Sequence, residues 1–223
     1  MDFRRAYETE AHNFKYDRST ERNTALIAIQ DDEIMGTLEY DFISLDVAEV
    51  TSFKVCNDSK EIMNGLIEEF KYWHPFIKIL YFSDLIDSKL KPQKNIMYFE
   101  ACSLSKMNIE NIIPEQLTVS KDKFDQVNQW VKSPEDVVVC TVEIEGAVVC
   151  IDGHSRLVSA YLKGIKSVYV YEDTTDDKTL FKECLSWCKE EHINSIADLS
   201  KHIVSSEDHH RIWIDRCQQY LND

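Results

Sequence analysis

The sequence predicts a mixed α/β fold of the α+β type, made of two domains and a helical tail. In the first part of the chain, three β-branched runs precede an amphipathic helix and a further strand. In the second part, a strand, a tight turn, a helix and another strand follow one another within residues 147–171. We therefore expect domains over residues 1–105 and 106–175, with helices over 176–223.

Composition limits the classes of partner. The 223 residues are 43% hydrophobic, which is enough for the cores of one or two domains, and the net charge is −15. Proteins that bind duplex nucleic acid neutralise phosphates with Lys and Arg, so this acidic balance disfavours a nucleic-acid partner. No apolar run approaches a membrane span of about 18 residues, and the first residues lack a secretory pattern. Seven scattered cysteines indicate reduced thiols, so we expect a cytoplasmic protein.

The first domain is expected to have the element order β-β-β-α-β. The turn 31–33 separates the first two strands, and the apolar positions of the helix recur at helical spacing. The predicted strands are Thr24–Gln30, Ile34–Ile43, Val47–Val55 and Phe76–Phe82, and the predicted helix is Glu61–Trp73. A further apolar stretch at 96–99 is a candidate strand, and residues 84–108 are the expected link to the second domain.

The second domain is built around one polar turn. Ala147 to Ile151 is an apolar run typical of a buried strand, and Asp152-Gly153 is a turn dipeptide. Helical spacing follows from Leu157, and Gly164 stands where a helix commonly ends. A second β-branched run, residues 167–171, comes next.

This turn is a candidate anion site. The first amides of a helix lack intrahelical partners and carry the positive end of its dipole, and Gly153, His154, Ser155 and Arg156 add polar and cationic groups there. Phosphate is the expected anion, and Asp152 could hold Mg²⁺ or orient a nucleophile. The alternative is that Asp152 caps the helix while His154 and Arg156 are exposed.

The segment from 111 to 175 resembles the ParB/sulfiredoxin superfamily. Its signature is a strand, a Gly-x-x-Arg turn, a helix and a glycine, which Gly153, Arg156 and Gly164 match. Upstream, residues 113–119 resemble the family's opening strand, residues 123–131 its first helix and residues 136–143 its next strand.

Three groups of proteins within this superfamily differ from one another at the turn. Sulfiredoxins have a reactive cysteine where this chain has His154, so their redox chemistry is not expected. ParB proteins bind CTP and carry a basic helix-turn-helix domain in addition, and the sequence has no such basic segment. The family's small-molecule kinases, which phosphorylate free serine, use a turn like Asp-Gly-His-x-Arg for the nucleotide phosphates, and this is the nearest match.

The kinase resemblance implies a phosphotransferase that uses ATP, ADP or CTP with Mg²⁺ and acts on a small molecule. It implies catalytic roles for Glu115 as base, Asp152 and His154, with phosphate contacts from residues 153–156. Two alternatives stay open: a non-catalytic binding module built on degenerate enzyme folds, and a ParB-like DNA-binding protein or nuclease.

The first domain resembles GNAT acetyltransferases in its element order. In that family a glycine-containing loop before the helix wraps the pyrophosphate of acetyl-CoA. The matching segment here, Cys56–Glu61, contains no glycine. Asp58 and Glu61 instead match a helix cap and its capping-box partner, and two carboxylates repel a pyrophosphate. The expected role is that of a scaffold or substrate-recognition domain rather than acetyl transfer.

The tail carries an apolar helical stripe that includes Cys184 and Cys188, with His192 one turn further on. A zinc site usually has a Cys-x₂₋₄-Cys knuckle and four converging ligands, whereas two cysteines within an apolar stripe favour small core residues. We therefore expect no zinc. Later helices are expected to open at Ser195 and Ser205. Trp213 and Tyr220 are expected to pack on a domain or on a partner chain, which would allow a homo-oligomer.

Overall fold

The computed structural model describes residues 1–5 and 24–222, and it divides the chain into two compact units after Cys102. Both units combine sheets with helices, so the mixed α/β class predicted from the sequence is confirmed. No helix among the described residues is long and apolar enough to span a bilayer.

The first unit contains one six-stranded sheet and one long helix among its described residues. Its strands follow chain order across the sheet, and all neighbours are antiparallel except the parallel pair β4–β5. The elements are β1 (Asp2–Arg5), β2 (Thr24–Gln30), β3 (Glu33–Ser44), β4 (Val47–Val55), α1 (Lys60–Trp73), β5 (Ile79–Phe82) and β6 (Ile96–Tyr98).

The N-cap residue of helix α1 lies one position after the predicted cap. The prediction of a cap at Asp58 is wrong, because the Ser59 side chain accepts the Ile62 amide at 3.5 Å. Residues 56–58 form a 3₁₀ turn in which Asn57 has a φ of 57°, and this turn places Ser59 at the N-cap position. The apolar face of α1 then buries Leu66 and Phe70 in the core of the unit.

The second unit contains a five-stranded mixed sheet in the order β7-β12-β10-β11-β8 and a two-stranded sheet, β13-β9. Parallel pairs are β10–β12, β11–β8 and β13–β9. The elements are β7 (Ser105–Asn108), β8 (Ile112–Pro114), β9 (Val119–Ser120), α2 (Lys121–Trp130), β10 (Val138–Ile144), β11 (Ala147–Asp152), α3 (His154–Leu162), β12 (Ser167–Glu172), α4 (Thr179–Glu190), α5 (Ile196–Leu199), β13 (Ile203–Val204), α6 (Ser206–His209) and α7 (Asp215–Asn222).

Polar contacts from two side chains hold α3 against α2. The Ser159 hydroxyl lies 3.0 Å from the Asn128 side-chain oxygen, and it is fully buried. Lys163 donates to the backbone carbonyls of Asn128 and Val131 at the end of α2. An ammonium group at a helix C-terminus satisfies carbonyls that lack intrahelical partners and complements the helix dipole. The direction of α3 is therefore fixed by its neighbours as well as by its own strand.

The helices after residue 176 contribute to the core of the second unit. Cys184 and Cys188 are buried among the side chains of the sheet and α3, as the apolar stripe predicted. The Trp187 ring packs edge-on against Trp213 and Tyr220, with centroids 6.2 and 5.8 Å apart. The tail aromatics therefore contact their own unit.

Candidate functional site

The candidate site lies where the parallel strands β8 and β11 end. Cys150 of β11 is in register with Pro114 of β8, so the residues that follow each strand leave the sheet at the same edge. Glu115 follows β8, and Gly153 follows β11. In open α/β sheets, ligands commonly bind beyond the carboxyl ends of parallel strands.

Gly153 makes the sharp turn from β11 into α3. Its φ is +105°, which L side chains rarely adopt, and a Cβ there would lie 2.6 Å from Cγ1 of Val139. The first helical hydrogen bond runs from the Leu157 amide to the Gly153 carbonyl at 2.9 Å. The helix thus starts at His154, and its first amides, those of residues 154–156, have no partner within the helix.

Arg156 and Asp152 form an ion pair at this turn. A guanidinium nitrogen of Arg156 lies 2.7 Å from Oδ2 of Asp152. The Arg156 side chain is 24% exposed and that of Asp152 is 46% exposed, so both groups reach solvent. Gly153 occupies the N-cap position, and the Asp152 carboxylate is engaged with the cation one helical turn away.

His154 is buried, in contrast to the exposed position that one alternative expected. Burial lowers the pKa of His154 to about 4, despite the nearby carboxylate of Asp152. Nε2 of the ring accepts the Glu115 backbone amide at 3.4 Å, so the neutral ring carries its proton on Nδ1. His154 therefore links the end of β8 to the start of α3 as a neutral hydrogen-bonding group.

The Glu115 carboxyl lies in the interior of the unit. It is 6% exposed, and burial raises its pKa well above the usual range, although a hydrogen bond from the Cys184 thiol opposes this change. A carboxyl with such a pKa holds its proton at higher pH than an exposed one. Glu115 and His154 thus meet through the Glu115 backbone, while the carboxyl contacts α4.

Sequence reasoning missed the groups that surround Glu115. Cys184 of α4 and Cys217 of α7 lie near the Glu115 carboxyl and affect its pKa in opposite directions. Nearby, the Thr118 hydroxyl lies 2.8 Å from Nδ1 of His209, and both side chains are buried. These partners are distant in sequence, and no local pattern links them.

The cysteines and histidine of the tail do not share one helical face. Helix α4 ends at Glu190, and His192 follows it with a φ of 58°. The helical i+8 spacing from Cys184 therefore does not continue to His192. Within residues 1–5 and 24–222, no group of three or more His, Cys, Asp or Glu side chains is arranged to hold a metal ion.

Comparisons with known proteins give one structural neighbour to report. No family model matches the chain, and no curated protein matches it. The crystal structure of protein Atu1540 from Agrobacterium tumefaciens is similar over 44% of this chain, with 16% identity and a TM-score of 0.32. The similar part spans 61% of that protein.

Proposed function

We propose that the second unit binds a nucleotide phosphate at the turn 152–156 and transfers a phosphoryl group to a small molecule such as free serine. The observation that carries this proposal is the start of α3. Three successive amides without intrahelical partners stand beside the partly exposed Arg156 guanidinium, at the carboxyl ends of β8 and β11. Amides at a helix N-terminus together with an arginine suit a phosphate.

The electrostatics of the turn support an exchange of anions. Arg156 already pairs with the Asp152 carboxylate, which is about half exposed. An exposed ion pair contributes only about 0–1 kcal/mol, so a phosphate can compete with Asp152 for the guanidinium. The phosphate would gain the amides of the first turn of α3 as additional donors.

Phosphoryl transfer requires positioning and charge stabilisation more than covalent chemistry by the protein. The amides of residues 154–156 and Arg156 would stabilise charge on the transferred group. Mg²⁺ bound with ATP, ADP or CTP would supply further positive charge, and Asp152 is the exposed carboxylate that fits it.

The three candidate catalytic side chains differ in their access to solvent. Asp152 can contact a ligand in solution, and it is the candidate either to hold Mg²⁺ or to orient the acceptor hydroxyl. Glu115 is the base that the kinase resemblance implies, although its carboxyl is buried and burial raises its pKa. We assign His154 a positioning role, because its neutral ring ties the Glu115 backbone to α3.

We further infer that the second unit belongs with the ParB/sulfiredoxin-like domains and that the first unit is a GNAT-like scaffold. The strand succession of the first unit, with β4 and β5 parallel across α1, supports the GNAT-like assignment. The segment before α1 has no glycine, and Ser59 caps the helix there. These features favour substrate recognition over acetyl transfer.

A non-catalytic binding module is the second candidate. It is favoured by the burial of Glu115 and His154 and by the ion pair that already occupies Arg156. Such a module would bind a nucleotide without turnover. A ParB-like DNA-binding role is the third candidate, and the charge of −15 opposes it.

Thermal denaturation with millimolar ATP, ADP or CTP, with and without Mg²⁺, tests the phosphate site. We expect one nucleotide to raise the melting temperature and Arg156→Ala to abolish the shift. Arg211→Ala is the matched control, because Arg211 also pairs with an aspartate on an exposed helical surface, at 2.8 Å from Asp208. The proposal fails if no nucleotide shifts the wild type, or if both variants lose the shift equally.

Turnover distinguishes the first two candidates. The nucleotide that binds is incubated with free serine, and phosphoserine and the nucleotide product are measured. Product that disappears in Arg156→Ala supports the transferase. Binding without product for serine or other small hydroxyl compounds supports the non-catalytic module. Retention on duplex DNA that persists at physiological salt would support the DNA-binding candidate.

A further inference from the structure

One face of the sheet in the first unit carries the polar side chains of β3. Successive side chains of a strand lie on opposite faces of its sheet. The Tyr40 ring packs edge-on against Phe70 of α1, with centroids 4.8 Å apart, so Tyr40 lies on the face that the helix covers. The opposite face of β3 therefore carries Thr37, Glu39 and Asp41.

Two of these polar side chains are buried without a hydrogen-bond partner. Thr37 is 8% exposed and Glu39 is 7% exposed. Within residues 1–5 and 24–222, neither Oγ1 of Thr37 nor Oε1 of Glu39 has a hydrogen-bond partner. Leaving a buried carboxylate oxygen without a donor is costly, and buried polar atoms in folded proteins are normally paired with protein, water or a ligand. Oε1 of Glu39 is thus an acceptor in need of a donor.

Further carboxylates lie beside Glu39 on the same face. Asp41 is two residues further along the strand, about 7 Å away, and Glu49 of β4 is directly opposite Asp41 in register. Side chains opposite each other in this way have Cβ atoms about 4.5–5.5 Å apart. Burial and the carboxylates of Glu49 and Glu39 raise the pKa of Asp41. Like charges at these positions repel one another, so this face favours a cationic ligand.

The exposure of this face increases from Glu39 towards β5. Asp41 and Glu49 are partly exposed. Tyr81 of β5 is in register with Glu49 and is 37% exposed. The face thus presents an exposed aromatic ring, then two partly exposed carboxylates, and then the buried Glu39.

The chemistry of this face suits a guanidinium group. An organic cation is favoured over a metal ion, because no three His, Cys, Asp or Glu side chains in the described part of the chain are arranged to hold a metal. A guanidinium is more weakly hydrated than an ammonium, and its planar fork donates to two acceptors at once. It also stacks on aromatic rings, and Tyr81 borders the carboxylates.

We propose that the carboxylate face of β3 and β4 binds a guanidinium group, with Glu39 and Thr37 as inner acceptors and Asp41 and Glu49 at the rim. The group belongs to a small guanidino compound or to an arginine side chain of a partner protein. Glu39 accepts through Oε1, and Thr37 accepts through its hydroxyl. This inference concerns the first unit and is independent of the phosphate site proposed in the second.

An NMR titration of the ¹⁵N-labelled full-length chain with butylguanidine tests the site. We expect saturable shifts of the amide signals of β3 and β4. Butylamine differs only in its head group, and we expect it to bind at least about fivefold more weakly, because it lacks the planar fork. Equal affinity for the two compounds, or no saturable shift at millimolar concentrations, would overturn the proposal.

Two variants of β3 test the role of Glu39. Glu39→Gln should weaken the binding of butylguanidine at least about fivefold, because a neutral amide oxygen replaces the charged acceptor. Glu33→Gln is the matched control, since it removes the same charge from an exposed position of the same strand, and it should keep the wild-type affinity. Urea denaturation checks folding, and Glu39→Gln should be at least as stable as the wild type without ligand, because it removes an unpaired buried charge. Equal losses of affinity in the two variants would show a general charge effect and contradict the site.

A second pair of compounds distinguishes the two sources of the guanidinium. The pair is N-acetylargininamide and N-acetyllysinamide, which resemble residues within a protein. Tighter binding of the arginine derivative than of butylguanidine supports an arginine side chain of a partner protein, whereas tighter binding of butylguanidine supports a small guanidino compound. Binding of the lysine derivative as tightly as the arginine derivative would contradict recognition of the guanidinium.

Discussion

The Arg156 guanidinium and the Asp152 carboxylate face each other at 2.7 Å across the turn from β11 into α3. Gly153 lies between them in sequence, and its positive φ brings the end of the strand and the first helical turn together. The turn thus presents a cation, an anion and amides without intrahelical partners within a few residues. Whether an anion enters depends on the competition between the ligand and Asp152.

Neutralising Asp152 is expected to tighten phosphate binding. In Asp152→Asn the guanidinium no longer pairs with a carboxylate, and an exposed pair of about 0.4–1 kcal/mol corresponds to roughly two- to fivefold in affinity. Isothermal titration with inorganic phosphate at low salt measures this change, because the free ion needs no Mg²⁺. If Asp152 held the ligand's Mg²⁺, the same variant would bind Mg²⁺-nucleotide less tightly.

Asp176→Asn is the control for this prediction, because it removes the same charge from an exposed position of the same unit. Equal gains in both variants would indicate a general charge effect. Weaker binding of inorganic phosphate in Asp152→Asn would contradict the competition between Asp152 and the ligand.

Replacing Gly153 is expected to destabilise the second unit. An alanine at φ +105° is strained, and its Cβ would lie 2.6 Å from Val139, so the combined cost is about 2–5 kcal/mol. Gly164→Ala is the control, since its φ of 76° carries strain but nothing lies within 4 Å, and the expected cost is about 1–2 kcal/mol. Urea denaturation measures both.

Removing the contact between residue 153 and Val139 provides an independent check of the steric cost. In Gly153→Ala with Val139→Ala, the steric part of the cost should disappear, so the two substitutions should couple favourably by about 1 kcal/mol or more. Strict additivity would show that Val139 does not limit the approach at Gly153.

Much of the element pattern was predictable from local sequence. The bounds of β2 and β4 match the expected strands, because turn residues flank clear β-branched runs. Asp31 and Asp32 both have positive φ in the β2–β3 turn, as a tight hairpin requires. The expected strand at residue 76 begins only at Ile79, because residues 74–77 first form a turn after α1.

The candidate site was predictable only in part. The Gly153–Arg156 turn is local, so strand and helix signals on either side were sufficient to find it. The burial of His154 and the contact of Glu115 with Cys184 depend on tertiary packing across more than one helix. A single sequence carries no signal for such pairings, since β10, β11, α3 and β12 all lie between residue 115 and helix α4 in the chain.

His154 is expected to make stability depend on acid pH. Its folded pKa of about 4 lies below the unfolded value of 6.5, so the unfolded state binds more protons between these values. The contribution is complete above pH 6.5 and falls by about 3 kcal/mol as pH decreases towards 4. In His154→Gln this slope should be lost, because the side chain does not titrate but its oxygen can still accept the Glu115 amide.

Urea denaturation between pH 4 and 8 measures this slope. His202→Gln is the control, since His202 lies in the same unit with a partly exposed side chain, and it should keep the wild-type profile. A variant at residue 154 with an unchanged slope would show that another group dominates acid unfolding.

Glu115 is expected to change the pH dependence of folding stability in the direction opposite to that of His154. Its folded pKa is raised, so its contribution is complete below the unfolded value of 4.5 and is lost as pH rises through the folded pKa. Glu115→Gln removes this loss while keeping an oxygen that can accept from Cys184. The variant should therefore match the wild type near pH 4 and become more stable than the wild type as pH rises to 8.

Glu143→Gln, at an exposed position of the same unit, should show no such divergence. Destabilisation by Glu115→Gln at pH 8 would instead mean that the ionised carboxylate is held by donors in the folded protein, which would also favour its role as a base in the proposed reaction.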